Sequence, residues 1–157
     1  MRFSTREDID LPADEVFRVL SDFEGFERAA MRRGAEVIRG GDPGARGLGQ
    51  SWLLHFEYRG KPREMNVEIT RHDPASGIEA SGRAGGLEGV LAFDLTSLGP
   101  NRTRLGVDLD VTPDTISARL LLQSLRLIKA KLTTRFKNRF RQFARDLEAR
   151  ARAAPSG

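Results

Sequence analysis

The sequence predicts an α+β fold: a seven-stranded curved antiparallel sheet gripping a long C-terminal helix, with two short helices after the first strand. Three observations carry this. Apolar and polar residues alternate loosely in the first eleven residues and again in short runs between residues 36 and 111, the period of a strand with one buried face. Short glycine- and proline-bearing turns join most of the runs, and short connections of this kind link antiparallel neighbours. After residue 114 the period lengthens to three and four residues, which is one face of a helix. A sheet with an apolar face needs a cover, and the terminal helix is long enough to supply one.

The elements follow in order. Phe3, Thr5, Ile9 and Leu11 share one side of the first strand, against Ser4, Arg6, Asp8 and Asp10. Pro12-Ala13-Asp14 opens a helix, because proline is tolerated in a first turn and acids there favour the helix dipole. Val16, Phe17 and Leu20 form its apolar stripe. Ser21-Asp22 breaks or recaps it, and Phe23, Phe26 and Ala30 suggest a second short helix. Glu36 to Arg39 is a strand, and Gly40 to Gly47 a loop. Five strands follow: Ser51 to Arg59, Glu64 to Arg71, Ile78 to Arg83, Leu87 to Leu98 and Thr103 to Val111. Gly82, Gly89 and Gly106 would help the sheet bend. From Asp114 or Thr115, the positions Leu121, Leu125, Ile128, Leu132, Phe136, Phe140, Phe143 and Leu147 predict one continuous helix of ~55 Å. Residues 1–152 are then a single domain and 153–157 a frayed tail.

Composition removes several chemistries. There is no cysteine, and the only histidines are His55 and His72, so disulfides, thiolate sites and histidine-rich metal centres are excluded. No metal or cofactor is expected. No apolar run reaches the ~18 residues of a membrane span. The opening MRFSTREDID lacks the apolar core of a secretory leader, and a cytoplasmic location is the expectation. Gly44 to Ser51 nearly spells a phosphate loop, but Gln50 stands where the lysine belongs and a strand follows where a helix is needed. Gly47-Leu48-Gly49 has no third glycine and no βαβ unit, so it is no dinucleotide fingerprint.

Charge is distributed unevenly. Thr115 to Arg152 holds eleven basic and two acidic residues, a net +9, whereas the remainder holds fifteen basic and twenty acidic residues, a net −5. Such asymmetry suits an anionic partner, although a solvated arginine-rich face is the simpler reading of it. Lys137, Arg141 and Arg145 fall on one solvent-side stripe. Ile116, Leu120 and Leu127 lie opposite the Leu121-Leu125-Ile128 stripe. Their readings are a lid, a dimer contact, or packing beneath the loop from Asp42 to Gly49.

Three stretches resemble the START-like helix-grip superfamily (SRPBCC), the polyketide cyclase/dehydrase and lipid transport group that is related to the birch pollen allergen fold. They are Ile9 to Phe23, with a Pro-Ala entry into an amphipathic helix and then an aspartate; Gly47-Leu48-Gly49 before a long strand; and Arg102-Thr103-Arg104-Leu105 in the last strand. Phe26 departs from the tryptophan that many members carry in the second short helix. The resemblance implies a seven-stranded sheet gripping the long helix around an apolar cavity. Members bind lipids, sterols, quinones, polyketides or hormones, and some are cyclases or dehydratases.

The expected function is binding of an apolar small molecule, lipid-, quinone- or polyketide-like, between sheet and helix. Trp52, Leu54, Phe56, Met65, Val67, Ile69, Leu91, Phe93, Leu121, Leu125 and Ile128 are the candidate ligand-binding residues. The alternative is that these side chains pack together and leave no void. A cyclase or dehydratase would need an acid–base group facing the cavity; the nearest polar residues are Thr5, Glu7 and Thr103, and no catalytic residue is assigned. His55 should face away from the apolar side, and His72 has no partner visible in sequence. Further candidate partners are an anionic membrane surface or a protein at the basic C-terminal helix, and a second copy of the chain. Nucleic acid ranks below these, because no aromatic residues interleave the basic stripe.

Overall fold

The computed structural model describes residues 1–42 and 44–153. Alternation makes β1 (Arg2–Ile9) a one-sided strand: Ile9 is fully buried, Phe3 and Thr5 half-buried, and Arg2, Ser4 and Arg6 exposed. Pro12, in extended backbone, ends it and launches α1 (Ala13–Leu20), which buries Val16, Val19 and Leu20. Ser21 ends α1. Asp22 caps α2 (Phe23–Arg32), its carboxylate accepting from the Gly25 N–H at 3.1 Å. That satisfies one of the free donors of a helix start.

Six more strands follow: β2 (Glu36–Gly40), β3 (Ser51–Tyr58), β4 (Lys61–Asp73), β5 (Gly77–Ala84), β6 (Leu87–Gly99) and β7 (Arg102–Pro113). They form one antiparallel sheet in the order β1-β7-β6-β5-β4-β3-β2. All lie within two or three residues of the predicted bounds. The β1–β7 pairing sets Ile9 opposite Thr103 and Arg2 opposite Asp110. Irregularities between Ile69 and Arg71 and between Ser97 and Gly99 interrupt the register, as bulges do where a sheet bends. Gly77 opens β5 at φ +139°, and a Cβ there would lie 1.9 Å from the Phe93 carbonyl oxygen. No side chain fits that approach.

The C-terminal segment departs from the expected single helix. It is two: α3 (Ile116–Arg126) and α4 (Lys129–Ala153). At the junction the N–H groups of Leu127 and Ile128 donate to Ser124 and Leu125, three residues back instead of four, which tightens the chain into a turn. No proline or glycine causes this. The two helices rest on different supports, α3 on β7 and α4 on β1 and α1. The buried face of α3 is also one step round from the predicted one: Ala118 and Leu122 are buried, whereas Leu121 and Ile128 are exposed. In α4 the predicted stripe holds, with Phe140 and Leu147 buried and Phe136 and Phe143 half-buried. The helix runs on through Ala153, and the rest of the expected tail, like Pro43 of the 40–47 loop, lies outside the described residues.

The core gathers Ile9, Val16, Leu20, Leu105, Val107, Phe140, Ala144 and Leu147 between α1, α4 and the β1–β7 side of the sheet. Polar contacts fix α4 there. Glu148 is buried, accepts from the Asp10 N–H at 3.0 Å and pairs with Arg145 at 3.2 Å. Arg141 reaches Glu7 at 3.1 Å, Arg145 donates to the Asp8 carbonyl at 2.7 Å, and Arg150 meets Asp22 at 2.5 Å. Of the predicted basic stripe, Arg141 and Arg145 therefore fasten the helix to β1.

Candidate functional site

The rest of the sheet's concave face is not filled. A cavity of about 390 Å³ lies between β2–β6 and α2, with Leu20 of α1 and Phe143 of α4 closing its sides. Strand alternation aims every second residue of β3 and β4 into it. Trp52 and Leu54 stand opposite Val67 and Met65 in register, so four inward side chains form two adjacent rungs. Ile69, Leu91 and Phe93 continue the wall, with Ile78 and Ala80 of β5 between them. Small Ala80, opposite Leu91 and Ile69, leaves room that a larger residue would take.

Seven of the eleven candidate residues thus line the cavity: Trp52, Leu54, Met65, Val67, Ile69, Leu91 and Phe93. Four do not. Phe56 is paired with Arg63 near the β3–β4 turn and is not part of the cavity wall. Leu121, Leu125 and Ile128 belong to α3 and its junction, which sit on β7 and not across β3–β5. The expected cover was the start of the terminal helix. The observed cover is α2, through Phe23, Phe26, Glu27 and Ala30.

Glu27 is the one charged side chain on this wall among the described residues. Its Oε1 accepts from the Trp52 indole N–H at 3.0 Å and from the Arg39 Nε–H at 2.8 Å. Its carboxylate holds the Arg39 guanidinium above its ordinary pKa through that hydrogen bond and the charge behind it. A carboxylate that faces an apolar space needs such partners. The signal for Glu27 was present in sequence: positions 23, 26, 27 and 30 share one helical face, and an acid interrupts an otherwise apolar stripe.

His72 gains the partner that sequence could not show. Its Nε2 lies 2.8 Å from the Ser21 Oγ, and its ring packs 4.7 Å from Phe17 and 5.9 Å from Phe23, centroid to centroid. Burial pushes its pKa below the usual 6.5, so the imidazole is neutral at pH 7. Gly47 closes over it: at φ +100°, a Cβ would lie 2.6 Å from the ring nitrogen. The Gly-Leu-Gly segment therefore serves loop closure on His72, which braces the Phe23 side of the cavity. His55 stays away from the cavity, 3.7 Å from Glu64. The polar residues near the cavity in sequence reasoning are engaged elsewhere. Glu7 pairs with Arg141, Thr103 is fully buried and donates to the Leu11 carbonyl at 2.8 Å, and Thr5 sits in β1 opposite Val107 of β7, away from the cavity-lining strands.

An antiparallel seven-stranded sheet, two short helices after its first strand and a long helix at the end define a START-like helix-grip protein. The chain belongs to the polyketide cyclase/dehydrase and lipid transport family, whose pattern matches residues 1–152. Solved structures agree on the fold. The Zhui aromatase/cyclase from a Streptomyces species is 19% identical, with a TM-score of 0.66 over 100% of this chain and 99% of that one. Norcoclaurine synthase from Thalictrum flavum, in complex with dopamine and hydroxybenzaldehyde, is 12% identical, with a TM-score of 0.68 over 100% of this chain and 89% of that one. A START superfamily protein from Mycobacterium smegmatis is 19% identical, with a TM-score of 0.53 over 87% and 97%. No curated protein matches the sequence.

Proposed function

We propose that the protein binds one compact apolar molecule, of lipid-, quinone- or polyketide-like character, in the cavity beneath α2. The supporting observation is the wall itself: aliphatic and aromatic side chains around about 390 Å³, with the Glu27 carboxylate as the one charged group among the described residues. Apolar burial drives such binding, at ~25 cal/mol per Å² removed from water, and a polar group sets orientation. The volume is at the low end of the ~300–1,000 Å³ typical of small-molecule sites, which favours a single ring system or short chain over a two-chain lipid. A hydroxyl or other donor on the ligand would meet Glu27.

Trp52 is the only tryptophan and lines the cavity, so its emission reports occupancy. Titration with an apolar fluorescent probe should shift Trp52 emission and saturate. Ala80→Phe, which places a ring in the space, should remove that response while thermal unfolding stays within a few degrees of the parent. An undiminished response in Ala80→Phe places binding elsewhere.

A second reading, a cyclase- or dehydratase-type enzyme, is favoured by one observation: a carboxylate faces the cavity and can accept a proton from a bound carbon or oxygen acid. Glu27→Gln separates the two. It keeps the Trp52 contact and ligand binding but abolishes any turnover that depends on the carboxylate.

A further inference from the structure

The outer face of α3 presents an apolar stripe that the described part of the fold leaves uncovered. Ile116, Leu120 and Leu127 are 79%, 58% and 88% exposed. At 100° per residue they fall within about 40° of one another, opposite the buried Ala118 and Leu122. Leu121 and Ile128 are also exposed, at 47% and 45%, but lie about 100° further round the helix and are not part of this stripe. Among the described residues, none of the loop from Ala45 to Gly49 covers it, since Ile116, Leu120 and Leu127 stay exposed. Gly47 of that loop lies on His72 instead.

Charge sets this patch apart from an ordinary apolar one. From Thr115 to Arg145 the sequence contains no acidic residue. Arg119 and Arg126 flank the stripe on one side, and Lys129, Lys131, Arg135, Lys137 and Arg139 follow along α4. None of these seven cations makes an ion pair among the described residues, whereas Arg141, Arg145 and Arg150 further along do. Glu7, Asp22 and Glu148 fasten the second half of α4, and among the described residues the first half carries positive charge that no ion pair offsets.

We propose that α3 and the 127–128 junction dock on an anionic lipid bilayer. Ile116, Leu120 and Leu127 enter the boundary between headgroups and acyl chains, and Arg119, Arg126 and the lysines of early α4 meet the lipid phosphates. An exposed apolar stripe flanked by cations is the pattern of an interfacial helix. A second copy of this chain is a poorer occupant. A two-fold contact through this face brings the same patch against itself, and with it seven like charges that no acid offsets. The docking stands independently of any ligand in the cavity.

Sedimentation of the full chain with vesicles tests this. Vesicles of phosphatidylcholine mixed with phosphatidylglycerol should carry the protein down at ~0.1 M salt and release much of it when salt is raised several-fold. Vesicles of phosphatidylcholine alone should carry down at least about ten-fold less. Ile116→Gln/Leu120→Gln/Leu127→Gln changes only exposed positions; it should unfold like the parent and bind the anionic vesicles at least about ten-fold more weakly. Arg119→Glu/Arg126→Glu should weaken binding and its salt dependence together. Failure of the parent chain to bind the anionic vesicles overturns the proposal, as does undiminished binding by the triple variant. So does a dimer in sedimentation velocity that the triple variant dissociates, if the vesicles are not bound.

Discussion

His72 is the residue whose surroundings translate most directly into a measurable pH effect. Burial holds its folded pKa below 6.5, so as pH falls the unfolded chain takes up this proton first. The unfolded state then binds more protons, and stability falls with pH from about 6.5 down to the lowered folded value. Asp8 and Asp108, held below the ordinary 3.8 by hydrogen bonds from Arg104 and Arg2, lose their contribution only at lower pH, below that value. Denaturant unfolding at about pH 7.5 and about pH 5.5 should therefore show a loss in the parent chain that His72→Gln largely removes. An equal loss in both would mean that another group titrates. This residue also shows what pattern reading can reach. His72 was visible as a histidine at a strand end, but Ser21 is 51 positions away in sequence, and only folding brings the two together. Glu27 is the opposite case, an acid in a helical apolar stripe that could have been found by spacing alone.

At the scale of elements, the strands were legible nearly to their ends because a period of two is forced on any strand with one buried face. The terminal helix was less legible. Its apolar residues fit one stripe through Leu147, but α3 and α4 lean on different supports, and a stripe cannot report a change of support. Nor could spacing assign the cover of the cavity, since α2 and the terminal helix both offer apolar faces. Two substitutions test how the elements are held. Glu148→Ala leaves the Asp10 N–H and Arg145 without their buried acceptor and should cost about 1–3 kcal/mol of unfolding free energy; Glu148→Gln, which keeps an acceptor, should cost less. Gly77→Ala drives a methyl into the Phe93 carbonyl at a backbone angle that suits only glycine. It should destabilise by more than about 3 kcal/mol or prevent folding, and a loss below 1 kcal/mol would show that β5 can shift away from β6.

For the whole molecule, the arrangement is a division of one concave face. The side near β1 and β7 is filled by α1 and the second half of α4 and carries the core. The side from β2 to β6 is roofed by α2, with Leu20 of α1 and Phe143 of α4 at its sides, and stays open inside. Seven of the eleven residues expected at a ligand site fall on that open side, because alternation fixes which face a strand residue occupies. The four that do not are those whose place depends on how far a helix reaches. A chain that needed only stability would gain from filling this space, since each unfilled cavity forfeits packing contacts.

Native mass spectrometry of freshly purified protein, set beside its denatured mass, tests the central claim most directly. A fraction of the native protein should carry an extra small mass that disappears on denaturation, extracts into organic solvent, and is absent from Ala80→Phe. A native mass equal to the denatured one, together with no Trp52 response to any apolar probe, would contradict a ligand site beneath α2.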